Sequence, residues 1–372
     1  MNYSEYTFHN VKARTATFDT GRREAHAILS YQNPRGVDAE IQLKSLSAAI
    51  GMLSGQLGMR PVFKRYLLSD ATNQICHLPP NDNCARSVIQ QPPLDGSKGA
   101  VLVIFQDAPS YEDKGNGIWA DSSGRIWVGD NDTIPAADSH KMTIDYFEEL
   151  CRALISSGGS LTDHCLRTWL YVRDIDNNYP GVVKGRNEIF AEYGLTPFSH
   201  FIASTGIAGQ SADPKRLVSF NAFADVSLQQ SQIKYLCGKS HLNPTYEYGV
   251  AFERGTAVDY GDRRHVYISG TASINNKGEI VAPGDIVAQT HRMLENIEVL
   301  LGEASCDWPD VAHLIVYLRD VADYHPVSEI MSRRFPGIPA VIVLAPVCRP
   351  GWLIETECMA IRQIGDNGYE PY

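Results

Sequence analysis

Residues 146–174 read YFEELCRALISSGGSLTDHCLRTWLYVRD, and residues 292–320 read RMLENIEVLLGEASCDWPDVAHLIVYLRD. In the first stretch Phe147, Cys151, Leu154 and Ile155 fall on one face of a helix, which Gly158 and Gly159 then end. Its second half, Leu166 to Val172, is bulky and aromatic and reads as a strand. In the second stretch Met293, Ile297, Leu300 and Leu301 make the same helical stripe, and His313 to Leu318 make the strand. Tyr171-x-Arg-Asp174 matches Tyr317-x-Arg-Asp320 at an offset of 146 residues, and the helix positions match at that same offset. One offset shared by helix, turn and strand marks an internal repeat.

A fainter copy precedes these two. Leu43, Leu46, Ile50 and Leu53 form a helical stripe, and Val62 to Leu68 follow as a strand whose Tyr66 lies 105 positions before Tyr171. The unequal offsets place insertions between copies, one of them the polar stretch Ser227 to Glu247. Residues 125–129 and 265–270 read as strands entering a glycine turn. Residues 100–105, 216–223 and 352–360 read as closing strands. Each copy is then a few strands, a helix, a strand, a second helix and a last strand. The expected fold class is α+β: tandem modules with helices on one face of mixed sheets, at 1–110, 111–226 and 227–372.

Composition narrows function. Of 372 residues, 44% are hydrophobic and 20% charged, ordinary globular values, and the formal net charge of −10 argues against a general nucleic-acid binder. No run approaches a membrane span, the first 19 residues lack the apolar core of a signal peptide, and the eight cysteines form no CxxC pair. We therefore expect a cytoplasmic protein with reduced thiols, no structural metal and no membrane partner. GxSxG, P-loop, HExxH and GxGxxG patterns are absent, which points to chemistry without a cofactor.

The third copy runs VYISGTASINNKGEIVAPGDIVAQTHRMLENIEVLL, DVAHLIVYLRDVADY and FPGIPAVIVLAPVCRPGWLIETECMAI. It resembles the RidA/YjgF family, in which a strand into Ser-Gly, a Q-x6-N helix, a V-Y-L-x-D strand and a terminal E-x-E strand follow in order. Gln289 and Asn296 fit the helix, and Glu355 and Glu357 fit the last strand. The family's imine deaminases carry an arginine after Pro-Ala to hold the substrate carboxylate. Here Val341 follows Pro339-Ala340, and the arginine after alanine occurs in the first copy, at Arg86.

The longer pattern is similar to the chorismatases, RidA-related enzymes that hydrolyse chorismate. The likeness covers residues 124–362. It rests on LRTWLY at 166–171 with Arg186-x3-Phe190, ASTGI at 203–207, Asn243-Pro244 with Phe252-Glu-Arg254, SGTASI at 269–274, and Cys348-Arg349-x5-Glu355. It implies a fold like that of chorismate mutase, a pseudo-trimer within one chain, and a small anionic substrate. It also implies pyruvate release, with a hydroxybenzoate or a dihydroxycyclohexadiene acid as the second product.

Cleaving an enolpyruvyl ether begins by protonating its methylene carbon, which requires an acid that stays protonated near neutral pH. Glu355 and Glu357 share one face of an alternating strand, where burial and like charge would raise a carboxyl pKa. Glu355 is the candidate acid. Arg186 and Arg254 are candidates to clamp the two substrate carboxylates, with Arg349 weaker because Cys-Arg-Pro-Gly also reads as a turn. The resemblance adds Cys348, implied to favour trapping by an internal oxygen over hydrolysis, Ala272 near the ring, and Glu357 at the substrate. Arg167 and Arg173 read as exterior, and Trp169, Tyr171 and Tyr267 as core. One working pocket is expected, between copies two and three. The alternatives are a RidA-type enamine or imine deaminase and a non-catalytic small-molecule-binding protein.

Overall fold

A computed structural model describes residues 1–80, 82–107, 111–131 and 138–372. Asp38 caps the first long helix through its side chain, and Gly58 ends it in the left-handed conformation. The first module contains strands β1 (Asn2–Phe8), β2 (Val11–Phe18) and β3 (Glu24–Tyr31), helix α1 (Ala39–Leu57), strand β4 (Arg60–Leu68), a short helix α2 (Ala71–Gln74), and strands β5 (Ala85–Gln90) and β6 (Gly99–Gln106). The second contains β7 (Glu112–Gly115), β8 (Ile118–Ala120), β9 (Arg125–Val128), α3 (Ser139–Ser156), the short α4 (Leu161–His164), β10 (Cys165–Val172), α5 (Ile175–Glu192), β11 (Ala203–Ala208) and β12 (Val218–Asp225). The third contains β13 (Ile233–Leu236), β14 (Gly255–Asp259), β15 (Arg263–Ala272), α6 (Ile286–Glu303), β16 (Val311–Leu318), α7 (Tyr324–Arg334), β17 (Ala340–Leu344) and β18 (Ile354–Gln363).

All three sheets have six strands and the same order: β1-β2-β3-β6-β4-β5, β7-β8-β9-β12-β10-β11 and β13-β14-β15-β18-β16-β17. In each, the last pair is parallel and the closing strand runs antiparallel between its two neighbours. The repeat is therefore a tandem of three α+β modules. Each module also has an edge strand (β5, β11 or β17) that the sequence pattern leaves out. The expected boundary at residue 110 lies outside the described residues.

The strands β10 and β16 are buried along their whole length, because one face meets helices and the other meets the neighbouring modules. The helix-free faces converge on one core, where Phe63, Trp127 and Phe223 stack across two modules with ring centroids 4.5 Å apart. Backbone bonds also join the modules pairwise: Gln90 to Gln210, Ala208 to Pro346 and Leu94 to Ile342.

Several expectations need correcting. Strand ends and registers pair Leu67, not Tyr66, with Tyr171 and Tyr317: Leu67 faces Ala100, Tyr171 faces Ser219 and Tyr317 faces Glu355. Tyr66 packs on the helix side instead, since a one-residue slip turns a strand side chain to the other face. Ile155 lies near the end of α3 and is 64% exposed, unlike its counterpart Leu301. The stretch Ser227 to Glu247 contains β13, the edge strand equivalent to β1 and β7. The true insertion is residues 237–254, between β13 and β14, where the other two modules have two-residue turns.

Candidate active site

Helix α6 shows why the glutamine–asparagine spacing matters. Gln289 donates to the carbonyls of Ala282 and Gly351 and accepts from the Leu353 amide, while Asn296 donates to the carbonyls of Ala272 and Ile274. Both side chains are fully buried, so the helix supplies partners for backbone that leaves the sheet at the end of β15 and before β18. These segments frame a cavity between the second and third modules. Its walls include Tyr179 and Arg186 from α5, Ser204 and Gly206 from β11, and Tyr248, Phe252 and Arg254 from the insertion. Ala272, Cys348, Arg349, Trp352 and Glu355 close it from the third module.

Glu355 is 3% exposed. Burial, and then the charge of Glu357, lift its carboxyl pKa to about 8, against the pull of Arg167 and Arg254. Opposite it, β15 bulges between Ile268 and Thr271. A Cβ on Gly270, in that bulge, would lie 2.0 Å from Glu355 Oε1. The Ser-Gly motif is thus the gap that lets the glutamate lie across the strand.

Arg186 and Arg254 are 1% and 4% exposed. Arg254 Nη2 donates to the Asn243 carbonyl at 2.9 Å, and both arginines lie over the Phe252 ring. Arg186 Nε and Nη2 and Arg254 Nε are buried donors with no acceptor in the protein. Two buried cations with unused N–H groups have the chemistry to hold an anion, since such groups are costly to leave unpaired. Arg349 lies exposed on the Cys348–Gly351 turn, stacked on Tyr248 and Trp352. Cys348 lies beside the Tyr179 side chain in the cavity wall. Burial and the neighbouring Glu355 push its thiol pKa up to about 12.

Glu357 lies elsewhere. Its carboxylate accepts from Arg65 Nη1 at 3.1 Å, Arg167 Nη2 at 2.8 Å, Trp169 Nε1 at 2.9 Å and Thr205 Oγ1 at 2.6 Å. It does not line the cavity with Glu355. Arg167, read as exterior, is 2% exposed and is part of this cluster, whereas Arg173 is half-buried. Trp169, Tyr171 and Tyr267 are core residues.

The C-terminal module, residues 255–362, matches the family model for Endoribonuclease L-PSP. The chain is 32% identical over 100 residues to a RutC family protein of Pyrococcus abyssi, covering 26% of this chain and 79% of that protein. It is 35% identical over 97 residues to the 3-aminoacrylate deaminase RutC of Acinetobacter baylyi, covering 26% of this chain and 77% of the relative. The chain belongs to the endoribonuclease L-PSP (RutC) family. At larger scale it has the fold of a chorismatase crystal structure, with a TM-score of 0.66 at 20% identity, over 81% of this chain and 93% of that one.

Within this family fold, the other closing strands carry no carboxylate at the equivalent positions. Register places Ala100 and Ser219 where the third module has Glu355, and Leu102 and Asn221 where it has Glu357. Sequence reasoning missed Tyr179, Tyr248 and Arg65. Tyr248 lies in the insertion. Arg65 had a signal: adjacent Lys64 and Arg65 in the strand VFKRYLL point to opposite faces, so at least one of them needs a buried partner.

Proposed function

We propose that this protein cleaves the enolpyruvyl ether of chorismate, or of a close dicarboxylate analogue, with Glu355 as general acid. The observation that carries the reading is the meeting of one buried carboxyl, lifted to about 8, with two buried arginines that have unused donors. Arg186 and Arg254 would each take a substrate carboxylate, and Phe252, Tyr248 and Trp352 would wall the ring from water. Glu355 gives its proton to the terminal methylene carbon, and the oxygen-bearing carbon becomes an oxocarbenium ion. Water adds to that carbon, and the resulting hemiketal collapses. The bond between that carbon and the ether oxygen breaks, pyruvate departs, the ring keeps the oxygen as a hydroxyl, and the proton released from water returns to the Glu355 carboxylate.

Cys348, beside Glu355, would influence whether water or an internal oxygen traps the cation. The free space in the cavity is about 30 Å³, roughly one water molecule. Binding therefore requires outward movement of the walls. The insertion is suited to this, being a loop outside the sheet with Gly238 and Gly249 in left-handed conformations.

A binding assay tests the anion clamp. Chorismate should protect the insertion from amide hydrogen exchange, and Arg186→Met with Arg254→Met should abolish that protection. Unaltered exchange at saturating chorismate counts against this substrate class. The deaminase reading has support in the RutC relative, but Val341 stands where the arginine of imine deaminases is expected, and it lies outside this cavity.

A further inference from the structure

Glu355 and Glu357 are both buried, but only one of them is neutralised by direct ion pairs. Arg65 reaches Glu357 from the first module and Arg167 from the second, each no more than 2% exposed. Thr205 links this cluster to the cavity: its hydroxyl donates to Glu357 Oε2 and accepts the amide of Gly270, the residue against Glu355. A buried ion cluster of this kind adds little stability over a well-packed apolar core, so its presence calls for another explanation.

We propose that Glu357 is a positioning residue: its carboxylate pairs with the buried guanidiniums of Arg65 and Arg167, leaving the neighbouring Glu355 free to carry a proton into the cavity. The first module, which adds nothing to the cavity lining, takes part in catalysis through Arg65. The proposal rests on Glu355 being the acid. The charged and titratable groups around Glu355 are Tyr179 and Arg186 on α5, Tyr248 and Arg254 on the insertion, Cys348 and Arg349 on the turn, Arg167 on β10, Tyr317 across from it on β16 and Glu357 on its own strand. Of these, Arg167 and Arg254 favour the ionised form, and Glu357 opposes it. If Glu357 lost its charge, Arg167 would lack a carboxylate partner, and Glu355 would become its counter-ion.

The test is a difference-infrared titration of the ligand-free full-length protein, with the protonated Glu355 band assigned by its loss in Glu355→Gln. In the wild type the band should titrate near pH 8. In Glu357→Gln it should move down by at least about one pH unit, as expected for a carboxyl next to an arginine. In Arg167→Met/Glu357→Gln it should return toward the wild-type position, a rescue that a purely structural role does not predict. Arg167→Met alone should leave the band at or above its wild-type pH. An unmoved band in folded Glu357→Gln, or a downward move in Arg167→Met, overturns the proposal. The readout needs no turnover, so failure of wild-type protein to cleave chorismate would refute the substrate reading and leave this result standing.

Discussion

Glu355 and Glu357 share one face of β18, yet Glu355 looks into a cavity while Glu357 accepts hydrogen bonds from Arg65, Arg167, Trp169 and Thr205. Two carboxyls two residues apart thus have opposite surroundings, one a cavity and the other a cluster of donors. In the proposed reaction the reactive form of Glu355 is the protonated one. Turnover should therefore be constant at low pH and fall as pH rises through about 8. A pH–rate profile with a basic limb close to pH 5 would contradict this.

The two buried arginines should act on binding. Each supplies charge-assisted hydrogen bonds worth about 1.5–3 kcal/mol, so Arg186→Met or Arg254→Met should raise KM about ten- to hundredfold. Arg349 is exposed, and Arg349→Met should have a smaller effect. Steady-state kinetics on the three variants would check this order.

Gly206 and Tyr179 make a steric pair. A Cβ at position 206 would lie 2.9 Å from the Tyr179 ring and 3.2 Å from its hydroxyl. Gly206→Ala should therefore push Tyr179 off Cys348. We expect Gly206→Ala and Tyr179→Phe to shift the ratio of aromatic to non-aromatic product in the same direction as each other. Cys348→Ala should change that ratio more than it changes pyruvate release, as chromatography of the products would show.

Stability should depend on pH through a second buried cluster. Glu24 accepts from or pairs with His26, His265 and Arg263, and His26 Nδ1 lies 2.8 Å from His313 Nδ1. Burial holds His265 down to about 3, and Glu24 is held at about 2 because its cationic neighbours outweigh its own burial. Below about pH 6.5 the unfolded chain binds protons that folded His265 does not, and below about 4.3 the same holds for Glu24. Stability should therefore fall on acidification from about 6.5. Glu355 works the other way: its raised pKa costs stability as pH rises from about 4.3 to about 8. Chemical denaturation at several pH values would show a maximum between these limits, flattened on its alkaline side in Glu355→Gln.

The repeat was readable because the second and third modules keep one offset of 146 residues through helix, turn and strand. The first module escaped that register, and Tyr66 was matched to a residue on the opposite sheet face. Arg167 was misread as exterior although strand alternation puts it with Trp169 and Tyr171, both taken as core. Its partner lies 190 residues away on another module, a distance that local pattern does not bridge. Residues 227–247 combine the four-residue edge strand β13 with the loop residues on either side of it, and composition alone does not separate a short edge strand from a loop. The cavity residues Arg186, Arg254, Ala272, Cys348, Arg349 and Glu355 are all named from sequence, whereas Glu357, expected at the substrate, is not part of the lining of this cavity.

The most direct test of the central claim is an end-point assay with chorismate, comparing purified wild type with Glu355→Gln and measuring pyruvate and ring product together. Pyruvate from the wild type, reduced about 10²- to 10⁴-fold in Glu355→Gln, is the predicted result. No pyruvate from folded wild-type protein, or equal release from both, would contradict it.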